Sequence, residues 1–287
     1  MKRSIEQIAE IAGVSKTTVS LIVNAKARQN RINPKTEERV LRIIRDNGYL
    51  TNQYARGLRL KKTRTIGLVT ADITNRFFSQ LAKSIENIAR EKGYHLIVGN
   101  SDDNLSRERE VVDNLLSKSI DGLIISSVQK KDELSKKLRE NNVCGVYIDR
   151  KITHSAIPCV ITDNSKGTYQ IISHFIARGL SRIAFIGGMR HLSTNKERFS
   201  GYKKALLKNR IACDPGLVVH GGFAVDAGYK SAKHLLASCA ERPQAIFTAS
   251  FTLFEGLLNF LKEKYNGIPS GMGLATFDHH PLLEHLP

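Results

Sequence analysis

Among the residues able to do chemistry, one set recurs at the ends of apolar runs: Asp72 and Asn75, Ser101 and Asp102, Ser126, Asp149 and Arg150, Ser250, and Asp278. Carboxylates accept hydrogen bonds from sugar hydroxyls, and an arginine fork grips a carboxylate or a phosphate. The same residue types also cap helices, so any single one of them has a purely structural reading. A second set, Lys16, Thr17, Ser20 and Leu21, lies just beyond Gly13 and Ser15 and suits contact with the edges of bases. Catalytic patterns are missing. Ile186-Gly187-Gly188-Met189 lacks the G-x-G-x-x-G spacing of a dinucleotide site. Asp278-His279-His280 has no further spaced ligand, and no Ser/His/Asp grouping sits at a nucleophile elbow. The four cysteines, Cys144, Cys159, Cys213 and Cys239, form no C-x-x-C pair and read as buried thiols. The expectation is a binding protein and not an enzyme, with no metal and no cofactor.

The N-terminal set needs helices to position it. Ile5, Ile8, Ala9 and Ala12 fall on one face, Ser4 and Gln7 have capping-box spacing, and Gly13 suits the left-handed residue that ends a helix. Ser15 then reads as the N-cap of a second helix, with Val14 and Val19 at the staple positions. Two short helices around a glycine turn make a helix-turn-helix pattern. Burying Val19 and Val23 leaves Lys16, Thr17, Ser20 and Leu21 pointing outward, where a recognition helix meets the major groove. A third helix begins at Asn33-Pro34, carries Val40, Ile43 and Ile44, and closes at Gly48. Between the second and third lies Ala25-Lys26-Ala27-Arg28-Gln29-Asn30-Arg31, a basic loop suited to phosphates.

Charge supports a nucleic-acid partner. Residues 1–64 hold fifteen lysines and arginines against five acids, a net +10 of the chain's +17. Positive charge gathered on a small helical module is the footprint of a phosphate-backbone binder. The stretch 51–60 is basic, contains Gly57 and would be a poor isolated helix, so it reads as a linker or as a hinge helix that orders on DNA, with Leu58 as a minor-groove wedge. No apolar run reaches membrane-spanning length, and the N-terminus lacks the apolar core of a signal peptide; a cytoplasmic location is expected.

From Thr65 the pattern alternates. Strand-length apolar runs at 65–70, 94–99, 121–127 and 143–148 are separated by helical stretches such as 77–92. The alternation recurs from residue 160 to residue 277. Near-continuous apolar strands between amphipathic helices predict an α/β fold with parallel sheets covered on both faces. Some ten strands exceed one comfortable open sheet, which predicts two doubly wound lobes, about 65–160 and 161–287, with ligands bound beyond the carboxyl ends of the strands. The predicted organisation is a headpiece over 1–50, a hinge over 51–64 and a core over 65–287.

The run from Ile8 to Ser20, then Asn24, then Asn52-x-x-Ala55-x-x-Leu58, then Ile66-Gly67-Leu68-Val69, closely resembles the lactose/galactose repressor family along essentially the whole chain. The resemblance implies a helix-turn-helix headpiece, a hinge helix and a two-lobed core of periplasmic sugar-binding type. It implies homodimers or homotetramers on pseudo-palindromic double-stranded operator DNA, with an effector in the cleft controlling DNA affinity. Carried over residue by residue, it puts Lys16, Thr17 and Leu21 at the positions that read bases and Leu58 at the minor-groove lever; the expected DNA contacts as a whole are Ser15, Lys16, Thr17, Thr18, Ser20, Leu21, Asn24, Arg28, Arg31, Tyr54, Ala55 and Leu58. It adds Phe77, Arg198 and Phe251 to the strand-end residues around the effector, with Asp149, Arg198 and Asp278 in the sugar pocket.

The loop 24–31, the pair Asp149-Arg150, the run Thr248-Ala249-Ser250-Phe251, the run 275–277 and the run 282–286 resemble the fructose repressor and catabolite repressor-activator branch. Most of the family has Asn-Asp where this chain has Ser250-Phe251, which disfavours a neutral hexose held through many hydroxyls. Arg150 and Arg198 suit an anionic sugar, so a sugar phosphate, fructose 1-phosphate foremost, is the expected effector of a repressor of sugar metabolism genes. The family's core continues past the strand bearing Asp278, so a C-terminal segment is expected to be missing, leaving an exposed sheet edge. The rival reading is a sugar-binding sensor or transport protein without DNA function.

Overall fold

A computed structural model of the chain describes residues 3–24, 26–47, 62–239 and 241–285. It divides into two compact units, Met1–Thr63 and Arg64–Pro287. The predicted hinge contacts Tyr54, Ala55 and Leu58, together with Gly48, lie outside the described residues.

The first unit holds helices α1 (Ile5–Ala12), α2 (Lys16–Val23) and α3 (Pro34–Asp46), with a short 3-10 turn at Arg28–Asn30. Ser4 and Gln7 form the reciprocal capping box, and Gly13 ends α1 at φ 60°. Ser15 caps α2, accepting from the Thr18 amide, and Asn33 with Pro34 opens α3. The small core is Ile8, Ala9, Ala12, Val19, Ile22, Ala27 and Val40. Ile22 takes the buried place expected for Val23, which is half-buried. In an eight-residue helix an i,i+3 partner and an i,i+4 partner of Val19 serve a stripe equally well, and only packing against α3 decides.

The second unit carries two all-parallel sheets. The first contains β1 (Thr65–Thr70), β2 (His95–Asn100), β3 (Gly122–Ile125), β4 (Cys144–Ile148) and β5 (Cys159–Val160), in the order β2-β1-β3-β4-β5. The second contains β6 (Ile183–Gly187), β7 (Val218–His220), β8 (Ala245–Thr248) and β9 (Gly273–Thr276), in the order β7-β6-β8-β9. β6 and β8 are buried along their whole lengths, as strands covered on both faces must be. β9 is an outer strand and is half-buried. Helices α4 (Arg76–Glu91), α5 (Leu105–Ser117) and α6 (Leu134–Glu140) connect the first sheet. The others are α7 (Asn164–Ala177), α8 (Ser193–Lys208), α9 (Val225–Ser238) and α10 (Phe251–Tyr265). Strand order reverses beside β1 and again beside β6, and such reversals open crevices at the carboxyl ends of the strands. Among the described residues no helix is long and apolar enough to cross a membrane.

Helix pairs in the second lobe meet at glycines. A Cβ on Gly256 of α10 would strike the Val225 carbonyl and the Tyr229 amide of α9, and one on Gly201 of α8 would strike the Ser165 carbonyl of α7. Backbone cannot step aside as a side chain can. Gly256→Ala is therefore expected to cost about 3 kcal/mol, the upper part of the usual overpacking range, read from the midpoint of urea unfolding at unchanged slope.

Candidate functional site

Two sites are built, one in each unit. In the first, Ser15 Oγ accepts from the Thr18 amide at 3.1 Å and lies 2.9 Å from Thr18 Oγ1, so both hydroxyls help start α2. Asn24 closes that helix by donating to the Ser20 carbonyl at 2.6 Å. Lys16 and Thr17 are exposed on its first turn, Ser20 and Leu21 are half-buried, and Arg28 and Arg31 are exposed beyond it. Ala27, 1% exposed, anchors the basic loop, while Arg31 adopts φ 54°. Lys16 Nζ pairs with the Glu6 carboxylate across α1 and α2. That hydrogen bond holds the Glu6 carboxyl down at about 2. A lysine on this surface thus exchanges a carboxylate for any base or phosphate it reaches.

In the second unit a cavity of about 300 Å³ opens at the carboxyl ends of both sheets, the lower end of the range of small-ligand sites. Asp72, Asn75 and Phe77 reach it after β1, and Asp149 and Arg150 after β4. Arg198 enters from α8, Ser250 from the end of β8 and Asp278 from beyond β9. Eight of the eleven residues expected around the effector therefore converge.

Three stand elsewhere. Ser101 is buried and donates to the Thr70 carbonyl at 3.1 Å. Ser126 is fully buried, its Oγ without a hydrogen bond. Phe251 lies at the start of α10 with its ring stacked on His280, centroids 4.2 Å apart. At a strand end, successive side chains leave on opposite faces, so one step of register decides between crevice and core. The lining also includes Asp102 and Asp103, Met189, Thr194 and Phe223. Phe223 follows two glycines after β7, and an aromatic beside a strand end is the signal that would have found it.

The helix-capping reading of these polar groups holds as well. Asn75 caps α4, accepting from the Phe77 amide at 3.0 Å, and Ser250 caps α10. Capping and lining do not compete, because helix N-termini face the same crevice.

Electrostatically the cavity is a mesh of charge pairs. Arg198, 5% exposed, donates from Nε to Asn164 Oδ1 at 2.8 Å and from Nη1 to the Ala249 carbonyl. Its guanidinium lies 3.8 Å from the centroid of the Phe277 ring. Arg150 donates to Asp103 and sits 3.6 Å from the Asp149 carboxylate. Burial pushes the carboxyls of Asp149 and Asp278 up, while Arg150 and Arg198 pull Asp149 back and Arg198 does the same for Asp278. Glu108, fully buried behind β3, is raised by burial too.

A folded state with raised carboxyls takes up protons before the unfolded chain does. These groups favour the folded core fully below the ordinary carboxylate range and lose that effect as pH rises through their raised values. Asp278→Asn removes one such group, and it is expected to reduce the gain in core stability as pH falls from neutral toward the ordinary carboxylate range. Urea midpoints of wild type and variant across that interval check it.

Such an arrangement binds. Carboxylates accept from hydroxyls, two guanidiniums face anionic groups, and Phe77 and Phe223 supply apolar faces. Among the described residues no group of three histidines, cysteines, aspartates or glutamates is placed to hold a metal.

Comparison with known proteins joins the two units. The profile of bacterial regulatory proteins, lacI family, matches residues 4–52. That of periplasmic binding proteins and sugar binding domain of the LacI family matches residues 63–265. A sucrose operon repressor of Klebsiella pneumoniae is 35% identical over 283 residues, 99% of this chain and 84% of that protein. The structure of the Cra transcriptional dual regulator from Pseudomonas putida in complex with fructose 1-phosphate is similar at TM-score 0.70 and 26% identity, over 78% of this chain and 82% of that one. The lac repressor dimer bound to operator shares the fold at TM-score 0.82 and 22% identity, over 98% of this chain and 84% of that one. These relatives are regulators, not enzymes. A helix-turn-helix unit followed by a two-lobed core with a charged crevice, each matched by its own profile, places the chain in the lacI family of bacterial DNA-binding transcription regulators.

Proposed function

We propose that the chain is a cytoplasmic transcriptional repressor of sugar metabolism genes that binds a pseudo-palindromic operator as a homodimer and is controlled by fructose 1-phosphate in the crevice of its core. The observation that carries the effector reading is the pairing of guanidiniums and carboxylates in one cavity. Arg198 and Arg150 offer charged donors to a phosphate, and Asp149 and Asp278 offer acceptors to hydroxyls. Ser250 in place of a longer amide leaves fewer side-chain contacts for a neutral hexose, and the Pseudomonas putida relative was solved with fructose 1-phosphate. On the DNA side, two headpieces in one dimer convert weak half-site contacts into tight binding by effective concentration. Lys16, Thr17, Ser20 and Leu21 serve base readout in this scheme, with Ser15, Thr18 and Asn24 shaping the helix that presents them.

The test is fluorescence anisotropy of a labelled fragment from upstream of the gene, at two salt concentrations, with and without fructose 1-phosphate. Salt-sensitive binding relieved by the sugar phosphate is the expected result. Calorimetry giving no heat with fructose phosphates, but binding of a free sugar, would overturn the effector assignment and leave the DNA assignment standing.

A further inference from the structure

Arg150 lines a second and smaller cavity, about 70 Å³, as well as the effector crevice. That space has room for a compact tetrahedral oxyanion. Its walls come from both lobes. Lys130 follows β3 and Lys151 follows β4, while His191 and Lys196 flank the start of α8. Two hydrogen bonds join the lobes beside it: the Lys151 amide donates to Ser193 Oγ at 2.8 Å, and His191 Nε2 lies 3.2 Å from the Val128 carbonyl oxygen.

The charge of this cavity is the reverse of its neighbour's. Five aspartates line the effector crevice, and no aspartate or glutamate lines the small cavity. Among the described residues, the lysines that pair with carboxylates are Lys16, Lys83, Lys136, Lys137 and Lys230. Lys130, Lys151 and Lys196 are not among them. The nearby buried acid, Glu108, is already satisfied by the Ser127 hydroxyl at 2.8 Å, the Val128 amide at 2.7 Å and the Gln129 amide group at 2.9 Å. Those bonds fix the Ser127–Gln129 wall, and none of them comes from a lysine of the cavity.

One further feature points at an anion. Helix α8, sixteen residues long, starts at this cavity without a side-chain cap, so the positive end of its dipole lies beside the space. The Arg150 side chain, 5% exposed, turns its Nε to the Asp149 carboxylate at 3.6 Å and so keeps its charge on the effector side of the wall.

We infer that this cavity binds a phosphoryl group, gripped by Lys130 and Lys151 from one lobe and by Lys196 and the start of α8 from the other, and so ties the lobes together beside the effector crevice. The inference does not depend on which sugar fills the crevice. The phosphoryl group belongs either to free phosphate or to a phosphate ester reaching past Arg150.

Inorganic phosphate is titrated into the full chain and followed by phosphorus NMR, with chloride holding ionic strength constant. Three proteins are compared: wild type, Lys130→Ala/Lys196→Ala, and the control Lys262→Ala/Lys264→Ala, which removes equal charge from the end of α10. All four lysines are exposed, so folding should survive, and unchanged melting without phosphate verifies it. Saturable binding in wild type and control, at least about tenfold weaker in the cavity variant, is expected, the usual size for losing charge-assisted hydrogen bonds. Equal weakening in both variants, or no saturable binding in wild type, overturns the site. Fructose 1-phosphate then identifies the source. If it displaces inorganic phosphate where fructose does not, the group is that of a sugar phosphate; independent binding marks free phosphate as the occupant.

Discussion

Arg198→Met is expected to abolish the response to effector, leave operator binding intact and weaken the core by about 3–5 kcal/mol. The guanidinium is almost wholly enclosed and holds Asn164, the Ala249 carbonyl and the Phe277 ring at once. Methionine keeps much of the packing on Phe277 and loses every donor. Asp278 then loses the cation that offsets its burial, and Asp149 keeps only Arg150 of its two. Removing one member of a buried charge set leaves the others unpaired, and that penalty exceeds what the set contributes when intact.

The same reasoning predicts a rescue. Arg198→Met combined with Asp278→Asn should be more stable than Arg198→Met alone, because the second change removes a charge that the first has stranded. Effector affinity should stay at least roughly tenfold down in both, since neither change returns a donor to the crevice. Urea unfolding reads the first quantity and calorimetry the second. Additive losses in stability would show that Arg198 and Asp278 act independently, contrary to the pairing argued from the crevice.

Much of this architecture is legible in the sequence wherever one turn of chain decides the outcome. Ser4 with Gln7, Gly13, Ser15, and Asn33 with Pro34 each take the role their type and spacing imply, because a cap is settled by three or four residues. Strand β1 occupies the predicted 65–70. Side-chain direction at strand ends is a different matter. Ser101 and Ser126 turn into the interior, and Phe251 turns to His280, since direction there depends on sheet register and on where the next helix begins. Asp103 and Met189 carry no such signal, because loops have no period from which to read a face. The small basic cavity is invisible in the sequence for a related reason: Lys130, Lys151 and Lys196 are distant along the chain and meet only because β3, β4 and α8 have their ends at one place.

Replacing Lys16 and Thr17 together by alanine is expected to change which operator bases are preferred, at one or two base pairs per half-site and about 1–3 kcal/mol for each base interaction removed. Both residues are exposed on the first turn of α2, the part of a recognition helix that enters the major groove. A dimer reads two half-sites, so the penalty applies twice and reaches several decades in affinity. The contribution of Lys16 is smaller than that of a free lysine, because reaching a base first breaks its bond to Glu6. Arg28→Ala/Arg31→Ala provides the contrast: exposed arginines beyond the helix that touch phosphate should weaken all sequences alike and lower the salt slope by about one for each phosphate no longer neutralised. Binding of a randomised operator library at two salt concentrations separates the two effects. An unchanged base preference in the Lys16/Thr17 variant would remove readout from α2, whereas a changed preference with an unchanged salt slope would separate the residues that choose the sequence from those that hold the backbone.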